Sequence, residues 1–333
     1  MKILILRFSS IGDIVLTTPV VRCLKTQLPD AEVHYATKKA YHSLVENNPY
    51  IDRYFLLENG LNALVTHLLS ERYDYIIDLH NNLRTLVIKA RLSLNSLFFQ
   101  GEGQGMKCYS FDKLNFEKWL FVNLKINRLP DVHIVDRYMK TVEPLGVIND
   151  NKGLDYFIPL QDEVTLESLP KTHQNGYVAF AIGGQHGTKK LPIERMVALC
   201  QRINQPIMLL GGKEDAETAE KLIQLCSSLL TPHSSLRIYN ACGKYNLNQS
   251  ASLVKQADMV YTHDTGLMHI AAAFKKKIVS IWGNTVPSFG MYPYQTNFVA
   301  WQVNNLPCRP CSKIGYDQCP KGHFKCMNEI VFE

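Results

Sequence analysis

Four short stretches of this 333-residue chain place glycine beside charged or hydroxylated residues where an apolar run ends. The first, Arg7-Phe8-Ser9-Ser10-Ile11-Gly12-Asp13, carries one carboxylate at a helix start. Asp13 there can cap the helix, or act as a general base that takes a proton from a sugar hydroxyl. The loop has one glycine instead of Gly-x-Gly-x-x-Gly, so a dinucleotide fingerprint is absent. The second, Gly183-Gly184-Gln185-His186-Gly187-Thr188-Lys189-Lys190-Leu191-Pro192, lets backbone amides approach an anion. Thr188 adds a hydroxyl and Lys189 a point charge for a diphosphate, the alternative being a solvated turn. In the third, Gly211-Gly212-Lys213-Glu214-Asp215, either acid can accept hydrogen bonds from ribose hydroxyls, or both can serve the positive end of a helix. The fourth, Thr262-His263-Asp264-Thr265-Gly266-Leu267-Met268-His269, turns from strand to helix and points unpaired amides at whatever lies beyond; phosphate is favoured there. His269 falls on that helix's first turn, as a site residue or a buried structural one.

Two further groups are less explicit. Asp78-Leu79-His80-Asn81-Asn82-Leu83-Arg84 ends another apolar run, and its His80 and Arg84 suit phosphates or sugar hydroxyls as well as a plain helix start. Near the end, Cys308-x2-Cys311-x7-Cys319-x6-Cys326 with His323 inside it has the ligand types of a structural zinc knot. Its second pair lacks the Cys-x2-Cys spacing, so reduced packed thiols and disulfides stay open as alternatives. The other five cysteines, Cys23, Cys108, Cys200, Cys226 and Cys242, read as core fillers.

These loops need a scaffold that ends strands at one edge, and the hydropathy pattern supplies one. Strands are expected over Lys2–Leu6, Glu32–Tyr35, Arg53–Leu57, Tyr75–Leu79 and Leu97–Phe99, with helices over Thr18–Gln27, Ala40–Glu46, Leu61–Glu71 and Leu83–Leu92. Asn115–Leu124 reads as a further helix. A second series follows: strands Tyr177–Ile182, Ile207–Leu210, Leu236–Tyr239, Met259–Thr262 and Ile278–Trp282, with helices Ile193–Ile203, Ala216–Leu229, Asn248–Lys255 and Leu267–Phe274. Alternation of this kind predicts an α/β fold of two doubly wound, Rossmann-like domains, residues 1–165 and 166–333, facing a central cleft, with the Cys-rich tail at 308–326.

Composition limits the function classes. The chain is 46% hydrophobic and 20% charged, with 19 Gly and 15 Pro, which excludes disordered, collagen-like and linker-dominated chains. Lys plus Arg exceed Asp plus Glu by 36 to 30, a net +6 without a basic-aromatic stripe. That suits an anionic small ligand or anionic membrane surface, and no nucleic-acid partner is expected. Met1–Arg7 is too short an apolar run for a signal peptide, and no later run spans a bilayer, so a cytoplasmic location with reduced thiols is expected.

Taken together, the four loops resemble glycosyltransferase family 9, the ADP-heptose:lipopolysaccharide heptosyltransferases. The resemblance rests on Ser9–Asp13, Tyr73-Asp74-Tyr75-Ile76-Ile77-Asp78-Leu79-His80, Lys189–Pro192, Gly211-Gly212, Asp264–His269, Gly283-Asn284-Thr285-Val286-Pro287 and the Cys-rich tail, in that order over nearly the whole chain. It implies a GT-B architecture and an inverting, metal-independent transfer of heptose from ADP-heptose to a lipid-linked lipopolysaccharide or lipooligosaccharide core. Alternatives are another nucleotide sugar, or a catalytically silent nucleotide-sugar-binding protein. Asp13 is then the catalytic base and Lys189 the diphosphate partner. Thr188, Asp264, Thr265, Gly266, Leu267 and His269, with Glu214 or Asp215, would hold the donor; Ser9, Ser10, Gly12, His80 and Arg84 would meet the acceptor. No cofactor is required for catalysis, structural zinc aside, and contact with the inner face of the cytoplasmic membrane would be peripheral. Leu191 and Asn284 depart from the family's usual aromatic and proline, departures that leave the expected fold intact and the identity of the transferred sugar open.

Overall fold

The computed structural model describes residues 1–99, 105–228 and 237–332. It divides into two units, Met1–Lys113 with Val132–Phe157, and Leu114–Asp131 with Ile158–Glu333. Residues 158–165 therefore go with the second unit, because Asp162 accepts from Asn246 (2.8 Å) and Asn248 (2.9 Å), and Val164 N–H donates to Ser252 (2.9 Å). Residues 114–131 join it too: Lys125 Nζ donates to the Pro310 carbonyl at 2.7 Å, and Phe121 meets Phe289 edge-on at 6.0 Å.

In the first unit, β1 (Lys2–Leu6), β2 (Glu32–Lys38), β3 (Arg53–Leu57), β4 (Tyr75–Asp78) and β5 (Lys107–Ser110) form a parallel sheet in the order β3-β2-β1-β4-β5. Ile3, Leu4, Ile5 and Leu6 are all 0% exposed, the continuous apolar run that a central parallel strand requires because helices cover both of its faces. Helices α1 (Ile11–Val15) and α2 (Thr18–Gln27) follow β1, α3 (Leu61–Leu69) follows β3, and α4 (Leu83–Phe99) follows β4. The expected strand at Leu97–Phe99 is instead the end of α4, since no Gly or Pro interrupts the helix between Leu83 and Phe99. The expected helix over Ala40–Glu46 is a 3-10 segment, Lys39–Leu44, with Tyr41 outside helical geometry. After the short helix α5 (Asn115–Leu124), α6 (Ile134–Met139) returns the chain to the first unit.

In the second unit, β6 (Val178–Ala181), β7 (Ile207–Leu210), β8 (Ile238–Asn240), β9 (Met259–His263), β10 (Lys277–Trp282) and β11 (Phe298–Gln302) are also parallel, in the order β11-β10-β9-β6-β7-β8. Of the strand expected over Leu236–Tyr239, Leu236 lies outside the described residues. Helices α7 (Ile193–Cys200), α8 (Ala216–Ser228), α9 (Leu247–Gln256) and α10 (Gly266–Ala273) are the crossovers, and α11 (Lys325–Asn328) closes the tail. Leu229, the expected last residue of α8, is outside the described residues. The tail's Met327, Ile330 and Phe332 are buried in the same core as α7, α8 and Trp301.

In both sheets the order in which strands are added reverses between the first and fourth strands of the unit, β1 and β4 in one and β6 and β9 in the other. At such a switch point the loops leaving the two strands part to opposite faces, and the crevice between them takes a ligand.

Candidate functional site

At the first switch point, β1 runs into α1 through Ser9 and Ser10. Asp13 is the third residue of α1, and its Oδ2 accepts from the Ser10 N–H (3.1 Å) and the Ser10 hydroxyl (2.8 Å). Its Oδ1 pairs with Arg7 Nη2 at 2.7 Å. Arg7 is buried and also donates to the carbonyls of Ser9 (2.7 Å) and Leu79 (2.5 Å) and to Tyr138 Oη (2.9 Å). The capping and the functional alternatives therefore coexist: the carboxylate closes the helix start and is oriented by a guanidinium, while its side chain stays 20% exposed. Gly12 is buried in this turn.

The β4 loop is bound to the same place. Asp78, fully buried, accepts from the His80 (3.0 Å) and Asn81 (2.7 Å) amides and pairs with Lys89 at 2.8 Å. His80 meets the Phe8 ring edge-on at 6.0 Å, and the Arg84 guanidinium lies over that ring at 5.6 Å. Burial, with the Arg7 charge next, lowers the His80 pKa to about 4. At neutral pH it is an uncharged hydrogen-bonding group. Ser9, Ser10, Asp13, His80 and Arg84 are thus gathered around Phe8 and Arg7.

At the second switch point, Lys189 Nζ pairs with Asp264 Oδ2 at 2.6 Å and approaches the Asp264 carbonyl at 3.3 Å. The pair joins the β6 loop to the β9 loop across the crevice. Thr285, just after β10, donates its hydroxyl to the same Asp264 Oδ2 at 2.9 Å. Thr265 caps α10 with extended backbone, and its amide and those of Gly266 and Leu267 begin the helix there. Gly184 lies against Thr265, where a Cβ would come within 3.3 Å of the threonine methyl. His269 is buried beneath this first turn at 2% exposure.

Two expected donor groups are otherwise engaged. The Thr188 hydroxyl donates to the Tyr316 carbonyl (2.9 Å) and accepts from the Tyr316 N–H (2.8 Å), and Thr188 itself is 1% exposed. Asp215 is 3% exposed, accepts from Gly212 N–H (3.0 Å) and Lys190 (3.3 Å), and lies so close under Gly183 that a Cβ there would stand 2.5 Å from its carboxylate. Glu214 is exposed. The choice left open between the two acids falls on geometry: Asp215 braces the glycines and Glu214 faces outward.

The tail wraps this loop. Gly187 has the Asp317 carbonyl where a side chain would be, 2.1 Å from an ideal Cβ, so only glycine fits. Arg309 donates to the carbonyls of Gly283 (2.5 Å), Thr285 (2.7 Å) and Val303 (2.9 Å). Burial lowers its pKa to about 10. All nine cysteines are free thiols. Burial pushes the Cys326 thiol up to about 12, and the Cys311 thiol is also raised. Cys308 Sγ lies 3.7 Å from His323 Nε2. Among the described residues, however, the one set of three ligand atoms within 4.8 Å of each other is Glu32, His34 and Glu71. That set is already matched by Lys2 (2.9 Å), Arg53 (2.6 Å) and the Tyr73 hydroxyl (2.9 Å). Cys308, Cys311, Cys319 and Cys326 have zinc's ligand types without a preformed tetrahedron.

The profile of glycosyltransferase family 9 (heptosyltransferase) matches residues 61–320. The chain belongs to glycosyltransferase family 9. It is a glycosyltransferase with the two Rossmann-like α/β units of the GT-B class. A lipooligosaccharide heptosyltransferase 2 of Haemophilus ducreyi is 26% identical over 314 residues, 87% of this chain and 85% of that one. Among solved structures, a family 9 glycosyltransferase of Veillonella parvula superposes with TM-score 0.70 at 22% identity, covering 90% and 85% of the two chains. The Escherichia coli ADP-heptose lipopolysaccharide heptosyltransferase II gives 0.67 at 18% identity, covering 99% and 98%. The last two likenesses carry the fold. Among the described residues no helix is long and apolar enough to cross a membrane.

Within this family 9 chain, three residues that the sequence reading quoted without giving them a role hold these loops together. Arg7 looks like the charged end of a strand, and Thr285 like part of a turn. His263 is 0% exposed and accepts the Leu191 N–H at Nε2 (3.0 Å), tying the lysine loop to β9. Burial lowers its pKa to about 3. The only signal for the first was its place at the carboxyl end of the central strand, where side chains of an open α/β sheet face ligands.

Proposed function

We propose that this protein moves heptose from ADP-heptose to the inner core of lipopolysaccharide or lipooligosaccharide, with inversion at the anomeric carbon and without a catalytic metal. The observation that carries the reading is the Lys189–Asp264 pair beside the start of α10, at the switch point of the second sheet. Cation and helix-start amides at a switch point suit a diphosphate, and the names of the relatives supply the sugar.

In this scheme the acceptor hydroxyl gives its proton to the Asp13 carboxylate as its oxygen bonds to the anomeric carbon. The bond from that carbon to the diphosphate breaks at the same time, and ADP leaves with the electron pair. Arg7 and Ser10 hold Asp13 in place, which fixes the direction of proton removal. Lys189 and the amides at Thr265, Gly266 and Leu267 meet the charge that grows on the leaving diphosphate, the task a divalent cation performs elsewhere. Glu214 faces the ribose. Ser9, Gly12, His80 and Arg84 meet the lipid-linked acceptor, whose enzyme contacts the membrane peripherally.

The test incubates the protein with ADP-heptose, and separately with UDP- and GDP-sugars, in the presence of heptose-free core and EDTA. Release of ADP alone, a product heavier by one heptose, and an anomeric configuration opposite to the donor's support the proposal. Transfer from another nucleotide sugar sinks the heptose assignment, and a strict requirement for added magnesium sinks the metal-free scheme.

A further inference from the structure

Asn284 is 1% exposed, and neither the oxygen nor the nitrogen of its side-chain amide has a hydrogen-bond partner among the described residues. An amide stripped of water and given nothing in return is unfavourable on both its atoms, so a partner is missing. Its surroundings are fixed. Arg309 holds the carbonyls of the residues on either side, Gly283 and Thr285, and the Asn284 backbone accepts from Cys311 N–H (3.3 Å) and donates to the Thr188 carbonyl (3.4 Å). A loop pinned at so many points does not shift to offer the amide a protein partner.

Strand order says what could reach it. Along the carboxyl edge of the second sheet, the loops come in the sequence β7, β6, β9, β10. They present, in turn, Glu214, Lys189, the Asp264–Gly266 helix start and Asn284. Neighbouring strands are about 4.8 Å apart, so β7 to β10 is a row of roughly 14 Å. A nucleoside diphosphate sugar laid along it, with its ribose at Glu214 and its diphosphate at Lys189, puts the transferred sugar at β10. An amide offers an N–H donor beside a carbonyl acceptor, and a sugar hydroxyl, which both donates and accepts, can meet either.

We infer that Asn284 is a specificity-determining residue whose buried amide takes a hydroxyl of the transferred sugar. The inference rests on the nucleotide-sugar reading above and adds the end of the donor that this residue reads. Thr285, the next residue, ties the same loop to Asp264, so sugar recognition at β10 and diphosphate recognition at β9 are parts of one rigid turn.

The test is calorimetric binding of ADP and of ADP-heptose to the full chain and to Asn284→Ala, with melting temperature followed in parallel. Loss of a paired hydroxyl contact is expected to raise the Kd for ADP-heptose about tenfold while leaving that for ADP within about twofold. The melting temperature is expected to hold or rise, because the variant removes an unpartnered buried amide. Asn284→Ser, which keeps one hydroxyl, is expected to fall between. Equal weakening of both ligands overturns the inference, and so does a fall in melting temperature with the ratio of the two Kd values unchanged, which marks an amide held by internal water. If the wild-type chain binds no ADP-heptose, it is the heptose assignment that fails. Asn284 is then judged by the same ratio for whichever UDP- or GDP-sugar binds, against UDP or GDP alone.

Discussion

The two switch points are built alike and expose opposite charges. Each holds a cation and a carboxylate in contact, Arg7 with Asp13 at 2.7 Å in the first unit and Lys189 with Asp264 at 2.6 Å in the second. In the first the carboxylate is the more exposed partner, 20% against 9%; in the second the cation is, 18% against 11%. The less exposed member in each case is held by further hydrogen bonds, Arg7 by Ser9, Leu79 and Tyr138, and Asp264 by Thr285. One pair therefore offers a fixed negative group and the other a fixed positive one. A reaction that removes a proton from one reactant and stabilises negative charge on the other needs that assignment.

The sharpest way to break the comparison is to neutralise the exposed acid. Asp13→Asn keeps the shape and one acceptor for Arg7 but cannot take a proton. Turnover is expected to fall by at least about 100-fold, roughly 3 kcal/mol, with donor binding measured by calorimetry nearly unchanged. A purified variant with ordinary turnover would remove Asp13 from the proposed role.

Neutralising the exposed cation is the matching experiment. Lys189→Ala is expected to lower kcat/KM for the nucleotide sugar by about 10- to 100-fold, and Lys189→Arg to recover part of it. The donor should feel this change and the acceptor should not. If steady-state kinetics show KM rising for the acceptor alone, the two pairs do not divide the work as described.

The buried partners give smaller effects and separate positioning from contact. Thr285→Val removes one hydrogen bond to Asp264 and leaves its charge pair, so a loss of about three- to tenfold in kcat/KM is expected, corresponding to roughly 1 kcal/mol. Combined with Lys189→Ala it should add little, since both act through Asp264. Full additivity in the double variant would mean that Thr285 acts elsewhere. The two acids after β7 divide in the same way. Glu214→Ala is expected to weaken ADP binding a few-fold without lowering the melting temperature, whereas Asp215→Ala should lower the melting temperature, because its carboxylate fills the space beneath Gly183 and Gly211.

The sequence showed these loops better than it showed their internal wiring. Parallel strands buried on both faces announce themselves as apolar runs, and β1 and β7 have the expected bounds because nothing competes with that pattern. β5 was missed: Lys107–Ser110 is exposed or half-exposed along its length and so has no apolar period to read. α4 was cut short because its apolar end, Leu97-Phe98-Phe99, looks like a strand when only those three residues are weighed. Asp13 and Lys189 stand out by type and position, but the partners of a functional group do not. Arg7, Thr285 and His263 matter through distances to residues up to 131 positions away, as with Arg7 and Tyr138, and no spacing rule reports those. The engagement of Thr188 by Tyr316, 128 residues on, is likewise invisible from local pattern.

The smallest effect concerns protons, and it ties the two switch points to stability instead of rate. His80 in the first unit and His263 in the second both have pKa values lowered by burial, to about 4 and about 3. In the unfolded chain a histidine titrates near 6.5. Between that value and the folded pKa the unfolded state binds more protons, so the stability of the folded state falls as pH is lowered through this window and levels off below it. For His263 burial is the first cause and the Lys190 charge the second; in addition its Nε2 accepts the Leu191 N–H, and a proton there would replace an acceptor with a donor. Melting temperature is expected to drop by several degrees between pH 7 and pH 4.5, and His263→Gln, which keeps an acceptor without a titrating group, should flatten that dependence. Should the slope survive in His263→Gln and disappear in His80→Gln, the first switch point is the acid-sensitive one. A slope unchanged in both variants would assign the acid sensitivity to groups other than these two histidines.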